Sequence, residues 1–170
     1  MSTEHQHWYA KANDEFSQMA SWLQSPLLLA IRLFWGWQFF TDGWAKLHNL
    51  ARVTDFFVSL GIPAPGLSAH FVSGLEFIGG LMLMLGLATR FMSLLLACNM
   101  FVAFYTAERD ALFSVFRDPD KFTGADAYGL LFASVLLLVF GAGAISVDHL
   151  LRHHFEKKRL ERKAQLEATA

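Results

Sequence analysis

Apolar residues in this chain gather in long stretches; they do not alternate along it. Four stretches approach the roughly 20 residues that a helix needs to cross a bilayer. They are residues 26–47 (PLLLAIRLFWGWQFFTDGWAKL), 68–87 (SAHFVSGLEFIGGLMLMLGL), 90–105 (RFMSLLLACNMFVAFY) and 125–147 (ADAYGLLFASVLLLVFGAGAISV). In lipid each span must satisfy its own backbone, so each is predicted to be a helix. The third is short and is expected to extend a few residues further. Ahead of the spans, Trp8, Ala12, Phe16, Met19 and Leu23 recur at near-helical spacing. That predicts an amphipathic interfacial helix within residues 1–25, with a frayed polar tail as the alternative. Glu4, Asp14 and Glu15, and the lack of a compact apolar core before a small-residue cleavage site, argue against a signal peptide. The expected fold is all-α: an integral membrane four-helix bundle over residues 26–151, with an N-terminal interfacial helix (1–25) and a basic tail (152–170).

Composition supports lipid as the solvent. Of 170 residues, 54% are hydrophobic and 17% charged, against about 25% charged in ordinary soluble domains. A net charge of -1 gives no electrostatic footprint for nucleic acid. A single cysteine excludes an internal disulfide and a dithiol redox motif.

Orientation follows from the Lys and Arg residues in the loops and tails and at the span ends. One side carries Lys11, Arg90, Arg152, Lys157, Lys158, Arg159, Arg162 and Lys163; the other carries Lys46, Arg52, Arg109, Arg117 and Lys121. The bias places both termini in the cytoplasm. On the opposite side, residues 52–60 are predicted as a short helix stopped by Gly61 and Pro63. Residues 108–117 either lie at the outer interface or fold back over the bundle mouth.

Charges inside apolar spans are costly and normally face protein or water. In the first span Gly36, Phe39, Gly43 and Lys46 fall within about 40° of Arg32 on a helical projection. The glycines permit close helix approach. Glu76 lies near the middle of the second span, followed by Gly79 and Gly80, and an Arg32–Glu76 pair is expected. Three readings stay open: an ion pair that fixes register, a proton-binding Glu76 beside a quinone, ion or substrate, and a lipid-facing Arg32. Asp42 and Lys46 read as a local pair, or as the lining of an outer mouth. Asp126 reads as a favourable charge at the N-terminus of the fourth helix. At the inner side, Gly141 and Gly143 allow close packing or a bend. Arg90 is the expected partner of Asp148.

Haem ligation needs facing histidines within the spans. His48 and His70 lie at outer ends, and His149, His153 and His154 lie in the tail. Haem is therefore not expected, nor is a metal site. The methionines and Cys98 read as apolar filling, and Asn99 as an interhelical hydrogen-bonding residue.

The order of several short motifs resembles the DoxX family of small four-helix membrane proteins. R-x3-G-x2-F-x3-G-x2-K runs from Arg32 to Lys46, and F-x2-LGIP from Phe57 to Pro63. Glu76 precedes glycines, LGLATR spans Leu85 to Arg90, and GAGAISVD spans Gly141 to Asp148 with Ala142 in place of the usual Pro. The resemblance covers about residues 26–151. It implies a bacterial inner-membrane protein linked to redox or respiratory complexes, with quinone as the implied lipophilic ligand and soluble or membrane redox partners. Arg32, Gly43, Lys46, Glu76, Arg90, Ser146 and Asp148 match family positions. Three functions follow as expectations. The first is a non-catalytic or catalytic subunit of a quinone-linked system, with a soluble partner on the tail. The second is a small transporter or conduit, which would need a homo-oligomer. The third is a structural membrane anchor.

Overall fold

The computed structural model describes the backbone of residues 3–168 and the side chains of residues 22–162, 165 and 166. Among these residues the chain is all-α. The elements are α1 (Thr3–His48), α2 (Leu50–Ser59), α3 (Pro65–Leu85), α4 (Thr89–Thr106), α5 (Arg109–Leu112), α6 (Pro119–Thr123), α7 (Asp126–Phe140) and α8 (Val147–Ala168). Helices α1, α3, α4 and α7 form the bundle: α3 packs on α1 and α4, and α7 on α4 and α1. Helices α3 and α4 are each long and apolar enough to cross a membrane, while α7 is apolar but shorter.

The distribution of polarity is that of a protein dissolved in lipid. Arg32, Glu76, Ser73, Thr89, Ser93 and Ser134 are buried, while Trp37, Ile78, Phe91, Phe132 and Val139 face outward. In water such an apolar girdle would be an aggregation surface; in a bilayer it is the solvated face. The buried apolar core is correspondingly small, with Phe39, Leu83, Leu96 and Leu137 at its centre.

Two boundaries differ from the sequence expectation. The interfacial helix and the first span are one helix, which runs through Pro26 without a break at Ser25. The amphipathic placement of Trp8, Ala12, Phe16 and Met19 lies outside the described side chains. The fourth span ends early, at Phe140 rather than near Val147. Gly141 and Gly143 take φ of 77° and 75°, a left-handed backbone that glycine adopts without steric cost. The chain turns there before α8 begins.

Close approach of α1 and α3 rests on glycine. A Cβ on Gly80 would lie 2.5 Å from the Phe40 nitrogen and 2.6 Å from the Gly36 oxygen. A Cβ on Gly36 would meet Met84, and one on Gly43 would meet the Phe77 backbone. These contacts set an antiparallel register in which residue 43 meets 77, 40 meets 80 and 36 meets 84. Gly79 points the other way, onto the Leu96 side chain of α4. The short α2 follows Asn49 and ends at Ser59, capped by Leu60 before Gly61, close to the sequence expectation.

At the end of the bundle where α1 leads into α2 and α4 into α5, labelled the outer end and its opposite the inner end, the connection from α4 to α7 folds back over the bundle. Ala111 and Phe122 pack with Phe104 and Ala127, although Phe113 and Phe116 stay exposed. Glu108 reaches across to accept the Asp126 and Ala127 amides at 3.2 and 3.1 Å. The N-terminus of α7 is thus capped by a distant carboxylate, in addition to Asp126 in its first turn.

Candidate functional site

The helix register sorts the buried polar residues into two clusters at opposite ends of the bundle. The outer one centres on Glu76, which is 1% exposed. Lys46 Nζ donates to its Oε2 at 2.5 Å, and Asn99 Nδ2 donates to its Oε1 at 3.0 Å. Helices α1, α3 and α4 each supply one group. Lys46 is 36% exposed, so the ammonium fronts the carboxylate and faces the space outside it. Asp42 and Asp126 lie within electrostatic reach of each other.

Glu76 does not pair with Arg32. In the observed register Arg32 sits opposite residues 86–88, about 18 Å along the helix axis from Glu76 at 1.5 Å per residue. That distance exceeds the reach of an arginine side chain. Lys46, two turns further along the same stripe than Phe39, is at the right level. Asp42 keeps Lys46 as its strongest charged neighbour but does not reach salt-bridge distance; among the described residues the Lys46–Glu76 pair is the only salt bridge.

Arg32 belongs to the inner cluster and is fully buried. Its Nη2 donates to the Ile145 carbonyl at 2.5 Å, while Nε and Nη1 have no hydrogen-bond partner among the described residues. The guanidinium lies against Gly86 and Ser146. Asp148 is its electrostatic neighbour. The Asp148 carboxylate accepts the Ala88 and Thr89 amides at 2.7 and 2.9 Å, and its own amide donates to Gly86 O at 2.9 Å. Arg90 makes no salt bridge with Asp148: it donates to Val139 O at 3.3 Å, while both carboxylate oxygens cap the start of α4. Ser146 Oγ donates to Gly143 O and accepts the His149 amide. This cluster clasps the α3–α4 turn to the α7–α8 turn.

Between the clusters the bundle interior carries no charged side chain among the described residues, although the Ser93 and Ser134 hydroxyls are buried there. Phe39 lies seven residues from both Arg32 and Lys46 on α1. At its level Leu83 and Leu96 are, like it, fully buried.

The outer cluster ends a cavity of about 1000 Å³. Its walls come from the end of α1, from α2, and from the outer halves of α3 and α4. Phe57, Phe71, Val72, Leu95 and Val102 line it, with Lys46, Glu76, Asn99 and Cys98 at the polar side. A mostly apolar pocket with a few converging polar groups has the character of a small-molecule site. The sequence drew attention to Glu76 and Lys46 but left Asn99 as a generic hydrogen-bonding residue and gave α2 no role. A mid-span asparagine was the available signal. His48 and His70 bond to backbone carbonyls of their own helices. Among the described residues no three His, Cys, Asp or Glu side chains are placed to hold a metal ion.

An all-α membrane bundle with an interior amine–carboxylate–amide triad at the end of an apolar cavity is the class that these features define. A family model for DoxX matches residues 27–109. A protein of Bacillus subtilis (strain 168) with the name "Putative oxidoreductase CatD" is 30% identical over 120 residues, which covers 71% of this chain and 83% of that one. An uncharacterized protein of Haemophilus influenzae is 28% identical over 137 residues, 77% of this chain and 87% of that one. No solved structure matches. The chain belongs to the DoxX family.

Proposed function

We propose that this protein is a multi-pass inner-membrane subunit of a redox system that holds a quinone or a similarly lipophilic molecule in the outer cavity. The observation that carries this reading is the cavity itself: about 1000 Å³, apolar along its walls, with Lys46, Glu76 and Asn99 at one side. The site expected beside Arg32 moves to Lys46. The oxidoreductase name of the Bacillus relative supports the class of chemistry, and the loop charges support cytoplasmic termini.

A bound quinone supplies two-electron, two-proton chemistry. The chain's own part is to seat the polar head and manage protons. Lys46, partly open to the cavity, would donate to a carbonyl oxygen of the bound molecule; Glu76 behind it holds the compensating charge, and Asn99 fixes the carboxylate's orientation. A carboxylate and an ammonium in hydrogen-bond contact can also exchange a proton with a group placed beside them.

The conduit reading is disfavoured by the layer between the two polar clusters. Phe39, Leu83 and Leu96 are fully buried there, and Ser93 and Ser134 are the only polar side chains buried in that layer among the described residues, with no titratable group to carry a proton. The test is the melting temperature of detergent-solubilised protein titrated with decylubiquinone. The expected result is a saturable rise for the wild type that Lys46→Met and Asn99→Leu weaken at least tenfold, about 1.4 kcal/mol of binding. A rise unaffected by either substitution removes the site; a proton-leaky proteoliposome would restore the conduit.

A further inference from the structure

The second cavity lies at the other end of the molecule, where α4 begins, α7 ends and α8 leaves the bundle. It measures about 640 Å³. Three guanidinium groups border it: Arg90 from α4, and Arg152 and Arg159 from α8. All three residues are exposed. The acidic groups on the same rim are Asp148 and Glu156, and the imidazole of His149 lies beside them. Asp148 is already committed, its two oxygens bound by the Ala88 and Thr89 amides. Glu156 lies in no salt bridge with these arginines, and three cations face one free carboxylate. Apart from Ser146, the remainder of the rim is apolar, with Phe140, Leu151 and Phe155 exposed.

We propose that this cavity binds one anionic glycerophospholipid, its phosphate between Arg90, Arg152 and Arg159 and its acyl chains along Phe140, Leu151 and Phe155. The amphipathic lining selects the occupant: a free inorganic anion would leave the aromatic rim unused, and an apolar ligand would leave the arginines unused. The position also fits, because Arg90 opens α4 and Phe140 closes α7 at one level, where spans meet headgroups. Basic pockets of this kind at helix ends recognise lipid phosphates, each interfacial cation contributing about fivefold in affinity. The lipid would tie the start of α8 to the bundle, to which Asp148 joins it through Gly86, Ala88 and Thr89.

The full chain, assembled in nanodiscs of phosphatidylcholine mixed with phosphatidylglycerol, tests this by native mass spectrometry of the lipids retained after detergent release. Nanodiscs present both faces alike, so the outcome does not depend on membrane orientation. The expected result is preferential retention of one phosphatidylglycerol. The Arg90→Gln/Arg152→Gln/Arg159→Gln variant should lower that preference roughly tenfold or more. Arg152→Gln/Arg159→Gln, which keeps the Arg90–Val139 bond, should show most of the loss. Lys157→Gln/Lys158→Gln/Arg162→Gln removes as many charges from outside the cavity and should retain the lipid. Equal loss in the cavity and tail variants would overturn the proposal in favour of a diffuse basic tail. Equal retention of both lipids would overturn it in favour of another occupant, such as an acidic soluble partner. A melting-temperature rise with inorganic phosphate in pure phosphatidylcholine discs, equal to that from phosphatidylglycerol, would overturn it in favour of a soluble anion.

Discussion

Replacing Lys46 by Met should expose how much of the fold depends on a single ion pair. Glu76 is 1% exposed and keeps only the Asn99 amide when Lys46 is lost. Removing one partner of a buried pair costs about 3–5 kcal/mol. Lys46 is 36% exposed, so part of the attraction is already screened by its surroundings. Charges about 4 Å apart attract by about 4 kcal/mol at an effective dielectric near 20. With screening, the expected coupling between Lys46 and Glu76 is about 2 kcal/mol. Glu76→Gln removes the buried charge and keeps an oxygen for Asn99. Lys46→Met/Glu76→Gln should therefore be more stable than Lys46→Met alone. The assay is a double-mutant cycle measured by reversible unfolding in mixed micelles, run in parallel for Arg32→Met with Glu76→Gln. Arg32 and Glu76 should be additive to within about 0.5 kcal/mol, as separated sites are. Strong Arg32–Glu76 coupling with none for Lys46 would refute the register on which the site rests.

Three further outcomes follow from the geometry. Gly80→Ala drives a Cβ against the Phe40 nitrogen and the Gly36 oxygen; it should cost about 1–3 kcal/mol in the same unfolding assay, whereas Gly74→Ala, with open space around it, should not destabilise. Asp148→Ala removes the cap on Ala88 and Thr89 and should cost about 1–2 kcal/mol, with faster hydrogen exchange of those two amides, and Asp148→Asn should recover part of the loss. Ala88 has φ of 47°, a conformation that costs a non-glycine residue about 1 kcal/mol, so Ala88→Gly should raise the melting temperature.

The spans were legible because lipid imposes a length and a composition, and α3, α4 and the short α2 appear close to their expected limits. The end of the fourth helix was not. Residues 141–146 are as apolar as a span, and only the backbone geometry of Gly141 and Gly143 shows that they turn. Polar residues inside the bundle were equally visible, since Arg32 and Glu76 stand out in apolar sequence. Their partners were not, because pairing depends on axial register between helices. Glycines at 36, 43 and 80 announce that two helices approach closely; they do not say which turn meets which. Three glycine contacts in space fix that register, and it exchanges Arg32 for Lys46 as the partner of Glu76. Glu108 shows the same limit. A carboxylate in a polar loop carries no sequence sign that it will cap a helix eighteen residues away.

The most direct test of the outer site is the lipophilic content of the protein taken from its native membranes. Purification in mild detergent, followed by organic extraction and mass spectrometry, should yield bound quinone in near-stoichiometric amount. Lys46→Met and Asn99→Leu should lose it while remaining folded, and the Arg90→Gln/Arg152→Gln/Arg159→Gln variant at the opposite end should keep it. Absence of quinone and of any other lipophilic molecule from the wild-type protein, or equal retention in all variants, would contradict the assignment of the Lys46–Glu76–Asn99 cavity as the binding site.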